Sequence, residues 1–183
     1  QKELRLDRQP RHIECFDNSN LQGAHPVASC VVFRDGKPAR KDYRHFNIKT
    51  VEGPDDYASM REVVFRRYSR LQEEGAELPD LIIADGGKGQ MGVIHEVLEY
   101  LGLDIPVAGL AKNDRHRTSE LLCGFPPVLV GIRPTSPLFH FLAHIQEEVH
   151  RFAVSFHRQK RSKAFIHSEL EQIEGIGDKT VRT

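Results

Sequence analysis

Two aspartates in this sequence stand where they could jointly hold a divalent cation. Asp17 follows the apolar run of the first predicted strand, and Asp85 follows the run of the fourth. If the right-handed crossover rule places these strands side by side, both carboxylates reach one edge of the sheet. Two like charges repel each other there, and a divalent cation relieves the repulsion by using both as oxygen ligands. The pattern favours a metal site, although aspartate is also common in turns and caps.

A long predicted helix near the end of the chain supplies a third group. Glu147 and His150 are three positions apart and share one helical face, and Gln146 is close to it. A neutral imidazole there could bind a metal or act as a general base toward water. A bound metal polarises a phosphoryl oxygen and lowers the pKa of water, which is the chemistry of phosphodiester hydrolysis. The alternative is an inert histidine at the core edge, since the chain has ten histidines.

Basic residues are grouped into separate segments, although the formal net charge of the chain is zero. Such segments are often only solvated surface, but three of them in a neutral chain (37–49, 112–117 and 150–163) indicate a footprint for a polyanion such as DNA. The side chains predicted to contact DNA are Lys88, Lys112, Arg115, Arg117, Arg151 and Arg158.

The segment GKGQMG (87–92) matches the G-x-G-x-x-G fingerprint of dinucleotide-binding proteins, after a predicted strand and at a helix start. Three features oppose that interpretation. The first strands form an antiparallel meander, the next strand ends at Lys112 where an acid is required, and Asp85 would repel a pyrophosphate. A tight turn suits these glycines better, with backbone N–H groups near Gly86 and Gly87 that receive a DNA phosphate at a helix N-terminus.

The periodicity of apolar residues predicts three antiparallel strands, then helix, strand, helix, strand, hairpin and a long final helix. This order gives an α/β fold with a mixed sheet and helices on both faces. The predicted strands are 11–16, 27–33, 41–48, 81–84, 107–110, 120–123 and 128–132. The predicted helices begin near 53–56, 86–89 and 136, and they end near Gly75, Leu101 and Arg161.

The composition is that of one ordinary domain, because 183 residues with 39% hydrophobic content can bury a core. No apolar run approaches the roughly 20 residues of a membrane span, and no signal peptide opens the chain. Three cysteines without a C-x-x-C pair predict buried, reduced thiols in a cytoplasmic protein. Because the first residue is not Met, we expect the chain to be a piece of a longer protein.

Five stretches of the chain resemble UvrC, the dual-incision subunit of bacterial nucleotide-excision repair. They are ECFDNSNLQG (14–23), YRHFNIKTVEGPDDYASM (43–60), LIIADGGKGQ (81–90), AKNDRHRTSEL (111–121) and EEVHRFAVSFHR (147–158). They follow the family's order and span nearly the whole chain. The resemblance implies an RNase H-like endonuclease domain over 1–163, which uses Mg²⁺ or Mn²⁺ to cut damaged double-stranded DNA 5′ to the lesion.

The resemblance also implies roles for particular residues. The family's catalytic set corresponds to Asp17, Asp85 and His150. Asp56 falls where the family has an acid linked to activity, although its position by itself indicates only a helix start. The sequence departs from the family at Asn18-Ser19-Asn20, where many members have Ile-Ser-His. It also has Gln146-Glu147-Glu148 where many have Arg-Asp-Glu, so Glu147 would reach a metal with one extra methylene.

The tail LEQIEGIGDK (170–179) resembles the start of a helix-hairpin-helix unit, so 164–183 is predicted to be a linker and the truncated beginning of that unit. The resemblance further implies a damage-recognition partner of the UvrB type and no membrane. Two other functions remain open. The basic segments and truncated hairpin would suit a catalytically silent DNA-binding or scaffolding module, and the glycines would suit a dinucleotide-binding enzyme.

Overall fold

A computed structural model of the protein describes residues 10–19, 27–48, 56–112, 118–130 and 135–172. The predicted order of strands and helices is confirmed. The elements are β1 (His12–Ser19), β2 (Val27–Arg34), β3 (Lys37–Pro38), a 3-10 turn (Arg40–Asp42), β4 (Arg44–Asn47), α1 (Asp56–Glu74), β5 (Leu81–Ala84), α2 (Lys88–Leu101), β6 (Val107–Lys112), β7 (Thr118–Cys123), β8 (Val128–Val130) and α3 (Pro137–Gln172).

The strands form one mixed sheet in the order β3-β2-β1-β5-β6-β7-β8, with β4 also paired to β2. β1 runs antiparallel to β2 and parallel to β5, and β5 runs parallel to β6. The predicted mixed α/β sheet is therefore confirmed, and so is the expectation that the fourth predicted strand lies beside the first. The register between β1 and β5 positions the candidate site, because it pairs Phe16 with Ala84, each one residue before an aspartate.

The third predicted strand is shorter than expected. Asp35 and Gly36, a pair typical of hairpin turns, connect β2 and β3 with φ values of 52° and 80° that suit a type I′ turn. After it, residues 40–42 form a 3-10 turn where a strand was predicted from residue 41. The guanidinium of Arg44 holds this turn, because its Nη1 donates to the carbonyls of Lys41 and Tyr43 at 2.9 and 2.8 Å.

The sheet separates α1 and α2 from α3, as the prediction of helices on both faces requires. Phe16 packs edge-on against Tyr68 of α1, with ring centroids 5.9 Å apart, and α2 lies beside α1. On the other face, Phe33 packs against Phe141 of α3 with centroids 5.8 Å apart. Both faces of the central strands are therefore covered.

The final helix is longer than the sequence predicts. Its start is as expected, since Ser136 Oγ accepts a hydrogen bond from the N–H of Phe139 at 3.2 Å. The predicted end near Arg161 is wrong, because α3 continues to Gln172; residues 157–172 contain no Gly or Pro to stop it. The domain boundary at residue 163 stays a prediction, and the hairpin glycines at 175 and 177 lie outside the described residues.

The core agrees with the predicted apolar pattern. On α1, Met60, Val63, Val64 and Tyr68 are buried; on α3, Leu142, Ile145 and Val149 are buried. The side chain of Phe156, the last residue of the predicted α3 stripe, lies outside the described residues. The three cysteines are reduced thiols; Cys15 and Cys30 are buried, and Cys123 is half-buried. In the described ranges, no helix has the length and hydropathy to cross a bilayer.

Candidate active site

Asp17 of β1 lies next to Asp85, the residue that directly follows the parallel strand β5. The ladder between β1 and β5 ends with Phe16 opposite Ala84, and the N–H of Asp85 donates to the carbonyl of Phe16 at 2.9 Å. The two aspartates occupy the next pair of positions in that register. Side chains alternate across a sheet, so both carboxylates point to the face opposite Phe16. That face is the one covered by α3.

The alternation is visible in the residues that precede the two aspartates. Ile13 of β1 and Ile83 of β5 line an apolar groove together with Leu138 and Leu142 of α3. Asp17 and Asp85 follow these isoleucines at even spacing, and so they share the face toward α3. Both aspartates are only partly buried, which leaves them accessible to a ligand.

Cys15 lies close to both carboxylates. Burial raises the pKa of its thiol well above the ordinary value of 9.0, and the charges of Asp85 and Asp17 raise it further. Because both charges act on the same thiol, the two carboxylates lie near one point of the sheet. Cys15 remains protonated at neutral pH and is neither a nucleophile nor a metal ligand in that state.

Gln146 connects α3 to the carboxylates. Its Nε2 donates to Oδ1 of Asp85 at 2.9 Å. His150 follows four residues later on the same flank of the helix, where side chains one turn apart have Cβ atoms about 5–6 Å from each other. The His150 side chain is exposed. The side chain of Glu147 is also exposed, and Glu147 lies about 100° further around the helix than Gln146. The structure therefore places His150 one turn from a residue that contacts Asp85.

The donor set suits a hard divalent cation. Two adjacent carboxylates offer the oxygen ligands that Mg²⁺ and Mn²⁺ prefer, and their mutual repulsion favours binding of a cation. Across the described ranges, no group of three or more His, Cys, Asp or Glu side chains is arranged to hold a metal ion. The complete predicted set of Asp17, Asp85 and His150, with Glu147 as a further ligand, stays a prediction.

The loop after Asp85 leads directly into α2. Gly87 precedes the helix and has no side chain that could cap it. A Cβ at Gly86 would lie 2.8 Å from Cγ of Gln90, whereas a Cβ at Gly87 would meet nothing within 4 Å. Lys88 is the first residue of α2 and is exposed. The N-terminus of α2 thus lies at the same end of the sheet as the two carboxylates.

Gly89 has a role that the sequence did not reveal. A Cβ at this position would overlap the phenol of Tyr57 in α1. In a dinucleotide fold the second glycine of the fingerprint lets the backbone approach the pyrophosphate. Here Tyr57 occupies that approach, which argues against the dinucleotide-binding alternative. No signal in the fingerprint itself distinguishes the two uses of the glycine.

Arg151 is one of two predicted DNA contacts whose side chains the structure describes; the other is Lys88. Nε and Nη2 of Arg151 donate to Glu148 at 3.2 and 3.0 Å, although the side chain remains 56% exposed. Asp56 is the first residue of α1, as predicted. The side chains of Asp56, Lys112, Arg115, Arg117 and Arg158 lie outside the described residues.

A buried acidic residue on the opposite face was missed by the sequence prediction. Glu14 is 1% exposed. It accepts hydrogen bonds from Arg67 at 2.7 and 2.8 Å and from the hydroxyl of Tyr68 at 2.7 Å, and His12 Nε2 lies 2.8 Å from it. Burial alone would raise the pKa of Glu14, but these hydrogen bonds and the charge of Arg67 lower it from 4.5 to about 2. The cluster links β1 to α1.

Comparison with known proteins identifies the class. A family model described as the UvrC RNase H endonuclease domain matches residues 1–154, and the chain therefore belongs to that family. The UvrABC system protein C of Bacteroides fragilis is 64% identical over 180 residues, which cover 98% of this chain and 30% of the relative. That of Streptococcus uberis is 61% identical over 177 residues, covering 96% and 30%. The chain thus spans about a third of these curated relatives.

A solved structure is also similar in part. Ciona intestinalis endonuclease V, in complex with an inosine-containing DNA, is 10% identical. The match covers 67% of this chain and 71% of that chain, with a TM-score of 0.43. At this level of similarity the comparison does not indicate an activity. The RNase H-like fold is assigned from the family match and from the sheet described above.

Proposed function

We propose that this domain cuts DNA 5′ to a lesion in nucleotide-excision repair, in the cytoplasm. The supporting observation is the pair Asp17 and Asp85, the first in β1 and the second directly after the parallel strand β5, on the face covered by the helix that carries His150. The relatives named UvrABC system protein C support a place in a multi-subunit repair system. Its substrate is damaged double-stranded DNA, and its partner is the damage-recognition subunit of that system.

Asp17 and Asp85 hold Mg²⁺ or Mn²⁺ in this proposal. When bound, the cation polarises the phosphoryl oxygen and lowers the pKa of water. The two aspartates would supply the negative charge that holds the ion. Their partial exposure is consistent with that use.

His150 acts as the general base in the proposal. Its neutral ring accepts a proton from the attacking water at a ring nitrogen. The water oxygen forms the new bond to phosphorus, the bond from phosphorus to the leaving sugar oxygen breaks, and that oxygen takes up a proton from solvent water, while His150 later releases its proton to solvent. The position of His150, one turn after Gln146, keeps the ring near Asp85.

Basic side chains hold the phosphates that flank the cut. Lys88, at the start of α2, lies at the carboxylate end of the sheet, and the backbone at Gly86 and Gly87 can approach DNA closely because neither residue has a side chain. The other proposed contacts are Lys112, Arg115, Arg117, Arg151 and Arg158. Asp56 is proposed only as a supporting acid, and Glu147 only as an additional metal ligand.

The test replaces Asp17 and Asp85 separately by Asn in the full-length protein, with Asp104→Asn as the matched control because Asp104 is exposed in the loop between α2 and β6. We expect each site variant to lose more of the 5′ cut than the 10–100-fold typical of residues that only support a metal ligand, and to bind Mn²⁺ more weakly. The control should cut normally. Unchanged cutting by either site variant would remove that residue from the mechanism.

The same experiment separates a nuclease from a silent DNA-binding module. A silent module needs no metal, so its affinity for DNA and its binding of Mn²⁺ would not change in the two variants. Equal Mn²⁺ binding in the wild-type protein, in Asp17→Asn and in Asp85→Asn would therefore favour the module over the nuclease.

A further inference from the structure

α3 is attached to the sheet by polar contacts on both of its flanks. Its buried centre is formed by Ile145 and Val149, each 0% exposed. On the flank toward β5, Gln146 Nε2 donates to Asp85 at 2.9 Å. On the flank toward β4, Glu148 accepts a hydrogen bond from the hydroxyl of Tyr43 at 2.8 Å. Gln146 and Glu148 are two positions apart, or about 200° around the helix.

The contact at Glu148 has a well-defined geometry. Glu148 is 7% exposed, and Tyr43 is equally buried. Arg151 binds both carboxylate oxygens of Glu148, at 3.2 and 3.0 Å, and Arg40 lies 4.0 Å away. The hydrogen bond from Arg151 lowers the pKa of Glu148 more than burial raises it. Arg151 belongs to α3 itself, so rotation of the helix against the sheet would break the hydrogen bond from Tyr43 and leave the buried Glu148 carboxylate without it.

Contacts on opposite flanks restrict the rotation of α3 about its own axis. An apolar stripe alone restricts rotation of a helix about its axis less than polar contacts do, since the hydrophobic effect is not directional. Hydrogen bonds are directional, so one bond on each side resists rotation either way. His150 lies one turn beyond Gln146 and two residues beyond Glu148. Its direction therefore depends on the rotation that these two residues set.

We propose that Gln146 and Glu148 are positioning residues that form a two-sided clamp on α3, which sets the direction of His150 and the orientation of the Asp85 carboxylate. The inference rests on the proposed function and goes beyond it. Neither residue takes part in the chemistry. Gln146 acts through Asp85, and Glu148 acts through the rotation of the helix that carries His150.

The test uses Gln146→Met in the full-length protein, because Met has a similar length and lacks the N–H donor. Gln72→Met is the matched control. Gln72 also donates a side-chain hydrogen bond to a neighbouring element, to the carbonyl of Leu101 at 3.0 Å, but lies between α1 and α2. We expect Gln146→Met to lower kcat for the 5′ cut by about 10–100-fold and to weaken Mn²⁺ binding similarly. KM for damaged DNA should stay within about twofold, and the control should match the wild type.

Tyr43→Phe tests the second flank, since it removes only the hydroxyl that binds Glu148. It should lower kcat less than Gln146→Met does, because Gln146 also orients the Asp85 carboxylate directly, whereas Glu148 acts only through the rotation of α3. The double variant should lose more than the product of the two single losses, since neither flank then resists rotation. If the loss of kcat in the double variant equals the product of the two single losses, the two-sided clamp is overturned.

Asp85→Asn separates failure of this inference from failure of the proposed function. If Asp85→Asn cuts normally, the proposed catalytic role of Asp85 fails and the clamp fails with it. If Asp85→Asn abolishes cutting while Gln146→Met keeps wild-type kcat and Mn²⁺ binding, the nuclease stands and the clamp is refuted. A rise in KM with unchanged kcat for Gln146→Met would also refute it, because it would make Gln146 a DNA contact.

Discussion

Replacement of Glu14 by Gln should destabilise the domain strongly at neutral pH and only weakly in acid. The variant keeps the size of the side chain and removes its charge from contact with Arg67. The pKa of Glu14 is lowered from 4.5 to about 2 in the folded protein. That difference, at about 1.4 kcal/mol for each pKa unit, corresponds to about 3 kcal/mol of stability. The side chain is 1% exposed, so solvent does little to screen the interaction.

The sign of the pH dependence follows from the direction of the shift. Because the folded pKa lies below the unfolded value, the stabilisation is fully present above about pH 4.5 and is lost as the pH falls toward 2. The Glu14→Gln variant lacks the ionisable group and does not show this loss. The gap in unfolding free energy between the two proteins should therefore narrow from about 3 kcal/mol at pH 7 to near zero at pH 2.

Urea unfolding followed by circular dichroism, at several pH values between 7 and 2.5, measures this gap. Glu74→Gln is the matched control, because Glu74 also pairs with an arginine, Arg70, but both side chains are exposed. The control should lose less than about 0.5 kcal/mol at any pH. A gap for Glu14→Gln that is the same in acid as at pH 7 would refute the reasoning, and so would a gap below about 1 kcal/mol at pH 7.

Three further outcomes are expected. Ser136→Ala should cost about 1 kcal/mol by loss of the α3 cap. Lys88→Ala should reduce the slope of log Kd against log salt by about 0.9, whereas Arg70→Ala should not; equal slopes would remove Lys88 from the DNA contacts. Chelation with EDTA should stop the 5′ cut and Mn²⁺ should restore it; cutting that persists would exclude a metal.

The order of elements could be predicted because apolar residues recur with two periods, every second residue in strands and every three to four residues in helices. Alternation over 11–16 and the short apolar run at 81–84 mark β1 and β5, and the helical spacing from Met60 to Tyr68 marks α1. The crossover rule then places β5 beside β1, which the register confirms. The adjacency of Asp17 and Asp85 follows from these local signals, and their catalytic role stays a prediction.

The contacts between elements could not be predicted in the same way. Glu14 occupies a polar position of an alternating strand, which predicts an exposed side chain; it is buried because α1 covers that face and brings Arg67 and Tyr68 to it. Gln146 was placed near the site, but its bond to Asp85 depends on how α3 is rotated against the sheet. The predicted end of α3 was too early, although the absence of Gly and Pro between 157 and 172 is itself a signal that the helix continues.

The pairing of Phe16 with Ala84 limits the insertions and deletions that the chain can tolerate. Loss of one residue from β1 ahead of Asp17 would shift the strand by one position and turn every side chain to the other face. The aspartate would then enter the apolar layer beneath α1, and Phe16 would face α3 in its place. The hairpin at Asp35 and Gly36 is exposed and lies outside this constraint. Changes in length should accordingly accumulate at that hairpin among related sequences and be absent from β1.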